Sequence, residues 1–460
     1  MFAKHSSSHS SLSTIKPWLL AAALPAAMCF GCGNESADQR SNTTDEPSIP
    51  VTQADTEVER LEFTLVKSDR AHDEAPEVSE EKFSQHVSMN QELSFELHRE
   101  VAPDQSNVML SAWSVRQAFA LVLPGTNDEG QAAIAETLGF SAEVDTTLRS
   151  INLLNDELNA RQLEGSESLA PVVLRTANSL WVNESAELEN AYLDQISEHL
   201  DAGVHLIDFK NHPEEACQSI NTWVEEATED RIQNLIPETL ITESTKSVFT
   251  NAVYFNAPWS TPFREAGTTE REFMTSNGEV IMTPLMRGEQ NAPAAIVDGT
   301  QVLTLPFRGQ ELSITFLMPT EGSIETLETS LNTERWNTFL SERVSELRPV
   351  TIPKFKFETS VPEMGNYFLE QETQVLFDSP AIDGVLVDQS LSIGKIIHKS
   401  FIEINETGGE AAASTAIIGI SPSVPQYGPE VVIDRAFLFA IHDESTGAIL
   451  FFGRVGNPAE

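Results

Sequence analysis

Segments with helical and with strand-like periodicity are segregated along this chain, which rules out the regular βα alternation that a doubly wound parallel sheet needs. In the first half Leu93, Phe95 and Leu97 open a helix. SVRQAFALVL (residues 114–123) continues as an apolar helix that must stop at Pro124 and Gly125, and a further helix over 131–138 ends at Gly139. VVLRTANSLWV (172–182) is rich in β-branched residues and is expected to be one strand. Ile220, Trp223, Val224 and Ala227 recur at helical spacing, so SINTWVEEATEDRIQNLI (219–236) is expected to be an amphipathic helix with a charged outer face. From residue 247 strands dominate: SVFTNAVYF, then QVLTLPF and LSITFLM paired about RGQE, then VTIPKFKFE, FIEIN, VVIDRAFLFAI and AILFFGRV. The fold class expected is α+β, a helix-rich N-terminal half packed on large mixed β-sheets.

At 460 residues with 40% hydrophobic content, the chain can bury a large core. Its 28 basic and 70 acidic residues give a net charge of -42, which repels nucleic acid and anionic membrane surfaces. Lys4 and Lys16 precede the apolar run PWLLAAALPAAMCF, too short to span a bilayer and expected to be the core of a signal peptide over residues 1–32. The protein is therefore expected to be exported, to the extracellular space or the cell envelope. MCFGCG is similar to a bacterial lipoprotein cleavage box in which Gly31 precedes a lipidated Cys32, although Cys29 stands where such boxes usually carry Leu. Ordinary cleavage after Ala27 is the alternative. Residues 33–82 are polar and acidic and are expected to form a disordered tether, with the folded domain over 83–460. Cys217 is the one cysteine of that domain, so no internal disulfide can form, and a packed thiol is expected.

Catalytic patterns are missing from the body of the chain. It has no G-x-S-x-G elbow, no H-E-x-x-H helix and no C-x-x-C pair. GTNDEG (125–130) has phosphate-loop spacing, but Gln131 occupies the position where a lysine must grip phosphate, so a turn between helices is expected. His199, His205 and His212 lie close in sequence without sharing a helical face, and are expected to be solvated surface residues.

Five separated segments resemble the serpin family: NVMLSAWSVRQAFALVLPGTNDEGQAAIAETLGF, SINTWVEEATEDRIQNLI, TNAVYFNAPWSTPF, IHKSFIEINETGGEAAASTA and DRAFLFAIHDESTGAILFFGRVGNP. In order and spacing they cover the chain from about residue 83 to residue 458. The resemblance implies a serpin fold with an exposed reactive-centre loop, acting as an irreversible suicide inhibitor of serine proteases. The protease cleaves the loop, which inserts as a new strand of the central sheet before the covalent acyl complex is hydrolysed. No cofactor or metal is implied, the partner is a serine protease, and a monomer is expected.

Insertion requires small residues at the leading end of the loop. Glu406, Gly408, Glu410, Ala411, Ala412, Ala413 and Ser414 match the family's hinge. Gly409 stands where inhibitory members usually carry Thr or Ser, and a glycine loses roughly 0.5 to 1 kcal/mol more on entering a strand than Ala does. On propensity alone EAAASTA would be a short helix. Ser111, Ser114, Asn251 and His398 match the shutter beneath the strands that part, and Trp259 the breach where the loop enters. Taken singly, His398 would be a satisfied buried histidine and Trp259 a core aromatic. Ala112 and Trp113 depart from the usual proline and small apolar residue between the two serines.

The loop after Glu406 is about three residues longer than the resemblance implies for common members, so counting from the hinge points to Pro422 and counting back from Phe437 points to Pro425. Proline disfavours cleavage on either side. Ser423-Val424, preceded by Pro422, is the first candidate bond, Ile420-Ser421 the second and Tyr427-Gly428 the third. No Lys or Arg occurs from Glu406 to Val432, so an elastase-like or subtilisin-like target is expected and a trypsin-like one excluded. The alternative is a non-inhibitory serpin-fold binding protein, against which the small hinge residues argue.

Overall fold

Apolar stripes bring the first-half helices together. The helices are α1 (Glu80–Val101), α2 (Ala112–Val122), α3 (Asp128–Leu138), α4 (Val144–Asn159), α5 (Asn190–Leu200) and α6 (Pro213–Ala227). Local chemistry sets their ends: Ser111 caps α2, Asn127 caps α3 by accepting the Gly130 amide, and Gly139 at φ 62° closes α3 in the left-handed region. The computed structural model describes residues 60–101, 106–166, 169–361, 364–378, 380–393, 396–409 and 427–460. Residues 1–32 with Cys32, hinge residues Glu410, Ala411, Ala412, Ala413 and Ser414, and Ile420, Ser421, Pro422, Ser423 and Val424 lie outside the described residues.

The strand-rich second half builds a nine-stranded sheet. Its central hairpin pairs Thr300–Pro306 with Leu312–Pro319, and Phe437–Asp443 with Ile449–Val455 extend it. Two four-stranded sheets carry the strands that concern function: β1 (Thr64–Val66), β2 (Val173–Thr176), β3 (Ser179–Asn183), β4 (Val204–Ile207), β5 (Ser247–Thr250), β6 (Ala252–Asn256), β7 (Phe355–Val361) and β8 (His398–Ile404). One sheet runs β1-β4-β3-β5 and the other β7-β8-β6-β2. Phe316, Phe355, Phe437 and Phe439 are buried in the largest core cluster, and the segregation of helices from sheets is that of an α+β fold.

Several sequence expectations need correcting. The runs 172–182 and 247–255 are each two strands in different sheets, broken at Ala177-Asn178 and at Asn251, VTIPKFKFE is broken at Lys354, and VVIDRAFLFAI is two separate strands, Val431–Val432 and Phe437–Asp443. Helix α6 stops at Ala227, and the apolar Ile232, Leu235 and Ile236 are buried by an irregular return segment. Asn221 holds that segment: its Oδ1 accepts the Ile236 amide at 2.8 Å and its Nδ2 donates to the Ile236 carbonyl at 2.9 Å.

The stretch 33–82 is not a tether throughout. β1 pairs antiparallel with β4 from Thr64 opposite Leu206 to Val66 opposite Val204, and Phe63 packs edge-on against Trp181 at 5.0 Å. An edge strand is held by main-chain bonds and needs little apolar patterning, so polar composition concealed it. His199 and His205 are buried, with only His212 exposed among the three; His205 stacks on Trp181 at 4.2 Å and bonds Ser179. Cys217 is fully buried as expected, and burial pushes its thiol up to about 11.

Candidate functional site

Strands β6 and β8 run parallel but are in register at only two positions, Lys399 opposite Ala252 and Ser400 opposite Val253. Below this short contact the chain breaks deliver polar side chains into the core. Asn251 sits between β5 and β6, Asn178 between β2 and β3, Ser114 in the first turn of α2, and His398 at the start of β8. Ser111, Ser114 and His398 have no exposed surface, and Asn251 is 3% exposed.

These groups form one hydrogen-bonded cluster. The Ser111 amide donates to His398 Nε2 at 3.3 Å, so this nitrogen is the acceptor and Nδ1 carries the proton, which it donates to Asn251 Oδ1 at 2.8 Å. Asn251 Nδ2 then donates to the Ser114 carbonyl and hydroxyl, both at 2.8 Å, and to Asn178 Oδ1 at 2.9 Å. Ser111 Oγ accepts the Ser114 amide at 3.1 Å, and Ser400 Oγ on β8 donates to the Met109 carbonyl at 2.7 Å. All four predicted shutter residues meet here. Sequence reasoning missed Asn178, whose signal was an asparagine interrupting a β-branched run.

Burial lowers the pKa of His398 to about 4, because an imidazolium there would have no water and would turn a second donor toward the Ser111 amide. Burial likewise holds His205 and His442 at about 4. Each folded-state value lies below the unfolded one, so this stability is present above pH 6.5 and is lost as the pH falls toward 4. By pH 5 each histidine is expected to forfeit about 2 kcal/mol. Thermal unfolding followed from pH 7.5 to 5 checks this: the midpoint should fall steeply below pH 6.5, and a flat profile would contradict the neutral cluster.

At the other end of β6 the hinge is already engaged. The Trp259 amide donates to the Thr407 carbonyl at 2.8 Å and its indole N–H to the Asn405 carbonyl at 2.9 Å, while its ring stacks on Phe307 at 5.0 Å. The Phe263 amide donates to the Glu406 carbonyl and the Gly409 amide to the Ala257 carbonyl, at 2.8 and 2.9 Å. Gly408 forms a bridge to Pro258 at φ 123°, where a Cβ would stand 2.4 Å from the Ala257 carbonyl oxygen, so only glycine fits.

Glu406 is pinned by Lys354 Nζ at 2.8 Å and by the Thr268 hydroxyl at 2.7 Å. Burial would raise its carboxyl, but those two hydrogen bonds outweigh it and hold the group below the usual carboxylate value. Trp259 thus lies against Asn405, Thr407 and Gly408, while the neighbouring Phe263 and Ala257 hold Glu406 and Gly409. At the far end of the loop the Gly428 amide donates to the Leu347 carbonyl at 2.9 Å.

The serpin family model, described as serpin (serine protease inhibitor), matches residues 88–458. An uncharacterized serpin-like protein of Thermococcus kodakarensis is 33% identical over 370 residues, covering 80% of this chain and 84% of that protein. The structure of Serpin48 from the insect Tenebrio molitor aligns with a TM-score of 0.69 and 26% identity, over 83% of this chain and 99% of the other. Human thyroxine-binding globulin in complex with its hormone aligns with a TM-score of 0.71 and 24% identity over 82% of this chain and all of the other, a likeness of fold. With the family model spanning most of the chain and a relative 33% identical over most of both chains, the chain belongs to the serpin family.

Proposed function

We propose that the protein is an irreversible inhibitor of serine proteases that works by cleavage of the loop after Gly409 and insertion of that loop between β6 and β8. The observation that carries this reading is the pairing of the hinge: the Gly409 amide is bonded to Ala257, one residue beyond β6, while β6 and β8 share only two register positions. Glu410 and the alanines after it can extend that ladder without bringing bulk into a closed sheet. Incubation with a panel of serine proteases tests it. Elastase-like or subtilisin-like enzymes should form a complex that survives denaturing electrophoresis, cleaved first at Ser423-Val424, whereas trapping of trypsin or simple digestion by every enzyme would refute the proposal. Tyr427-Gly428 is disfavoured as the bond because the Gly428 amide ties it to the nine-stranded sheet.

Gly409 is expected to tolerate a small side chain. A Cβ there would meet Asn256 Oδ1 at 2.2 Å and the Ala257 amide nitrogen at 3.2 Å, so the end of the Asn256 side chain must shift to admit it. Gly409→Thr should keep or increase the fraction of protease captured, and Gly409→Arg should convert the inhibitor into a substrate by putting a long cation into the entering strand. A fall in captured fraction for the threonine variant would contradict the insertion geometry.

The signal segment supports export, with cleavage after Ala27 or lipid attached at Cys32. If lipid holds the protein, Cys32→Ala should move it from the membrane fraction to the soluble fraction; unchanged partitioning would favour cleavage after Ala27.

A further inference from the structure

Arg116, on the buried face of α2, is 2% exposed and has no carboxylate beside it among the described residues. Its Nη1 donates to the His86 carbonyl at 2.8 Å and its Nη2 to His86 Nδ1 at 3.0 Å. One face of the guanidinium lies 4.9 Å from the centre of the Phe140 ring. None of these partners is an anion: burial and the adjacent Arg116 hold His86 neutral, well below its ordinary pKa. An isolated buried cation is among the most unfavourable groups a core can contain. Although the chain has 70 acidic residues, none of the described ones supplies a carboxylate here.

Arg116 also lines a cavity of about 10 Å³ together with His86, Asn90, Trp113, Gln117 and Asn155. Arg116 Nε, Trp113 Nε1, Asn90 Nδ2 and Gln117 Nε2 are all buried and without a protein acceptor. Two of these groups can only donate, being a guanidinium and an indole. The Asn90 amide is fixed in orientation because its Oδ1 accepts the Ile449 amide at 3.0 Å, which leaves Nδ2 for the cavity. Asn155 Oδ1 is the one unpartnered acceptor lining it, and rotation of that amide exchanges it for a donor. A water can satisfy about two of these four unpartnered donors and leaves the charge uncancelled. A monatomic anion accepts from all of them and neutralises Arg116. The volume suits one body of about water size and excludes an oxyanion such as sulfate.

We propose that this cavity binds a single halide ion, chloride under ordinary conditions, held by Arg116, Trp113, Asn90 and Gln117. Trp113 stands between Ser111 and Ser114, the two serines through which α2 joins the cluster under β6 and β8. An ion that fixes the Trp113 indole fixes that first turn, so halide stabilises the closed arrangement of the strands.

The test uses the full chain with chloride exchanged for gluconate at constant ionic strength. Chloride and bromide should raise the unfolding temperature saturably, sulfate and gluconate should not, and a bromide-soaked crystal should place an anomalous peak against Arg116 Nε. Trp113→Phe removes one donor while filling the same space, and should weaken halide affinity about tenfold; Arg116→Met should abolish the halide dependence. Equal stability in chloride and gluconate, a halide response unchanged in the phenylalanine variant, or bromide bound elsewhere would overturn the proposal and leave water in the cavity. None of these readouts depends on protease inhibition.

Discussion

Cleavage of the loop between Gly409 and Tyr427 is expected to raise the unfolding temperature on the order of 20 °C. Before cleavage β6 and β8 have only two positions in register. An inserted segment of about ten residues would bond to a strand on either side, gaining roughly twenty main-chain hydrogen bonds at about 1 kcal/mol each. Ordering that segment costs about 1 kcal/mol or more per residue, so on the order of 10 kcal/mol remains. At about 2 °C per kcal/mol in a chain of this size, the shift is large and easily read by calorimetry. Nicking with a protease outside the captured class suffices, because the gain comes from the loop and not from the enzyme. An unchanged midpoint after complete nicking would instead support a serpin fold that binds a ligand without inhibiting.

How far the sequence disclosed this site depends on the kind of signal each residue carries. Helices α2 and α3 and the hairpin of Thr300–Pro306 with Leu312–Pro319 follow from their apolar spacing and their glycine and proline stops, whereas α1 starts at Glu80, well before the Leu93 expected to open it. The four shutter residues and Trp259 were legible only jointly, since a buried serine or histidine alone is ordinary polar packing. What sequence reading lost were the breaks. Asn178, Asn251 and Lys354 each interrupt a run that propensity joins into one strand, and at each break the side chain that spoils the strand serves the site. The histidines at 199 and 205 escaped for a related reason: their burial comes from Trp181, Ser179 and neighbouring elements remote in sequence. Likewise β1 is defined by its partner β4 and not by its own composition.

The break at Asn251 carries the second large effect. Asn251→Ala is expected to destabilise the uncleaved protein by about 4 kcal/mol, a sum of unpaired buried groups tempered by their coupling. The amide joins three parts that must stay together: Ser114 on α2, Asn178 at the break between β2 and β3, and His398 on β8. Its removal leaves the His398 Nδ1–H without an acceptor at a position with no exposed surface. Ser114 fares better, because its carbonyl still receives Asn178 Nδ2 at 3.4 Å, which is why the loss is smaller than four independent bonds would give. Asn251→Asp separates the roles: it keeps an acceptor for His398 but faces a buried carboxylate toward the Ser114 carbonyl and Asn178 Oδ1, so it should be no better than alanine at neutral pH. Asn178→Ala, which touches only one side of the cluster, should cost about 1 to 2 kcal/mol. Because β6 and β8 are then held by little besides their two register positions, the Asn251 variants should also lose inhibitory capacity on standing at 37 °C, as the intact loop enters the loosened sheet. Urea midpoints and residual capacity over hours measure the two consequences separately. An Asn251→Ala protein within about 1 kcal/mol of the parent would mean that the cluster does not govern the parting of the strands.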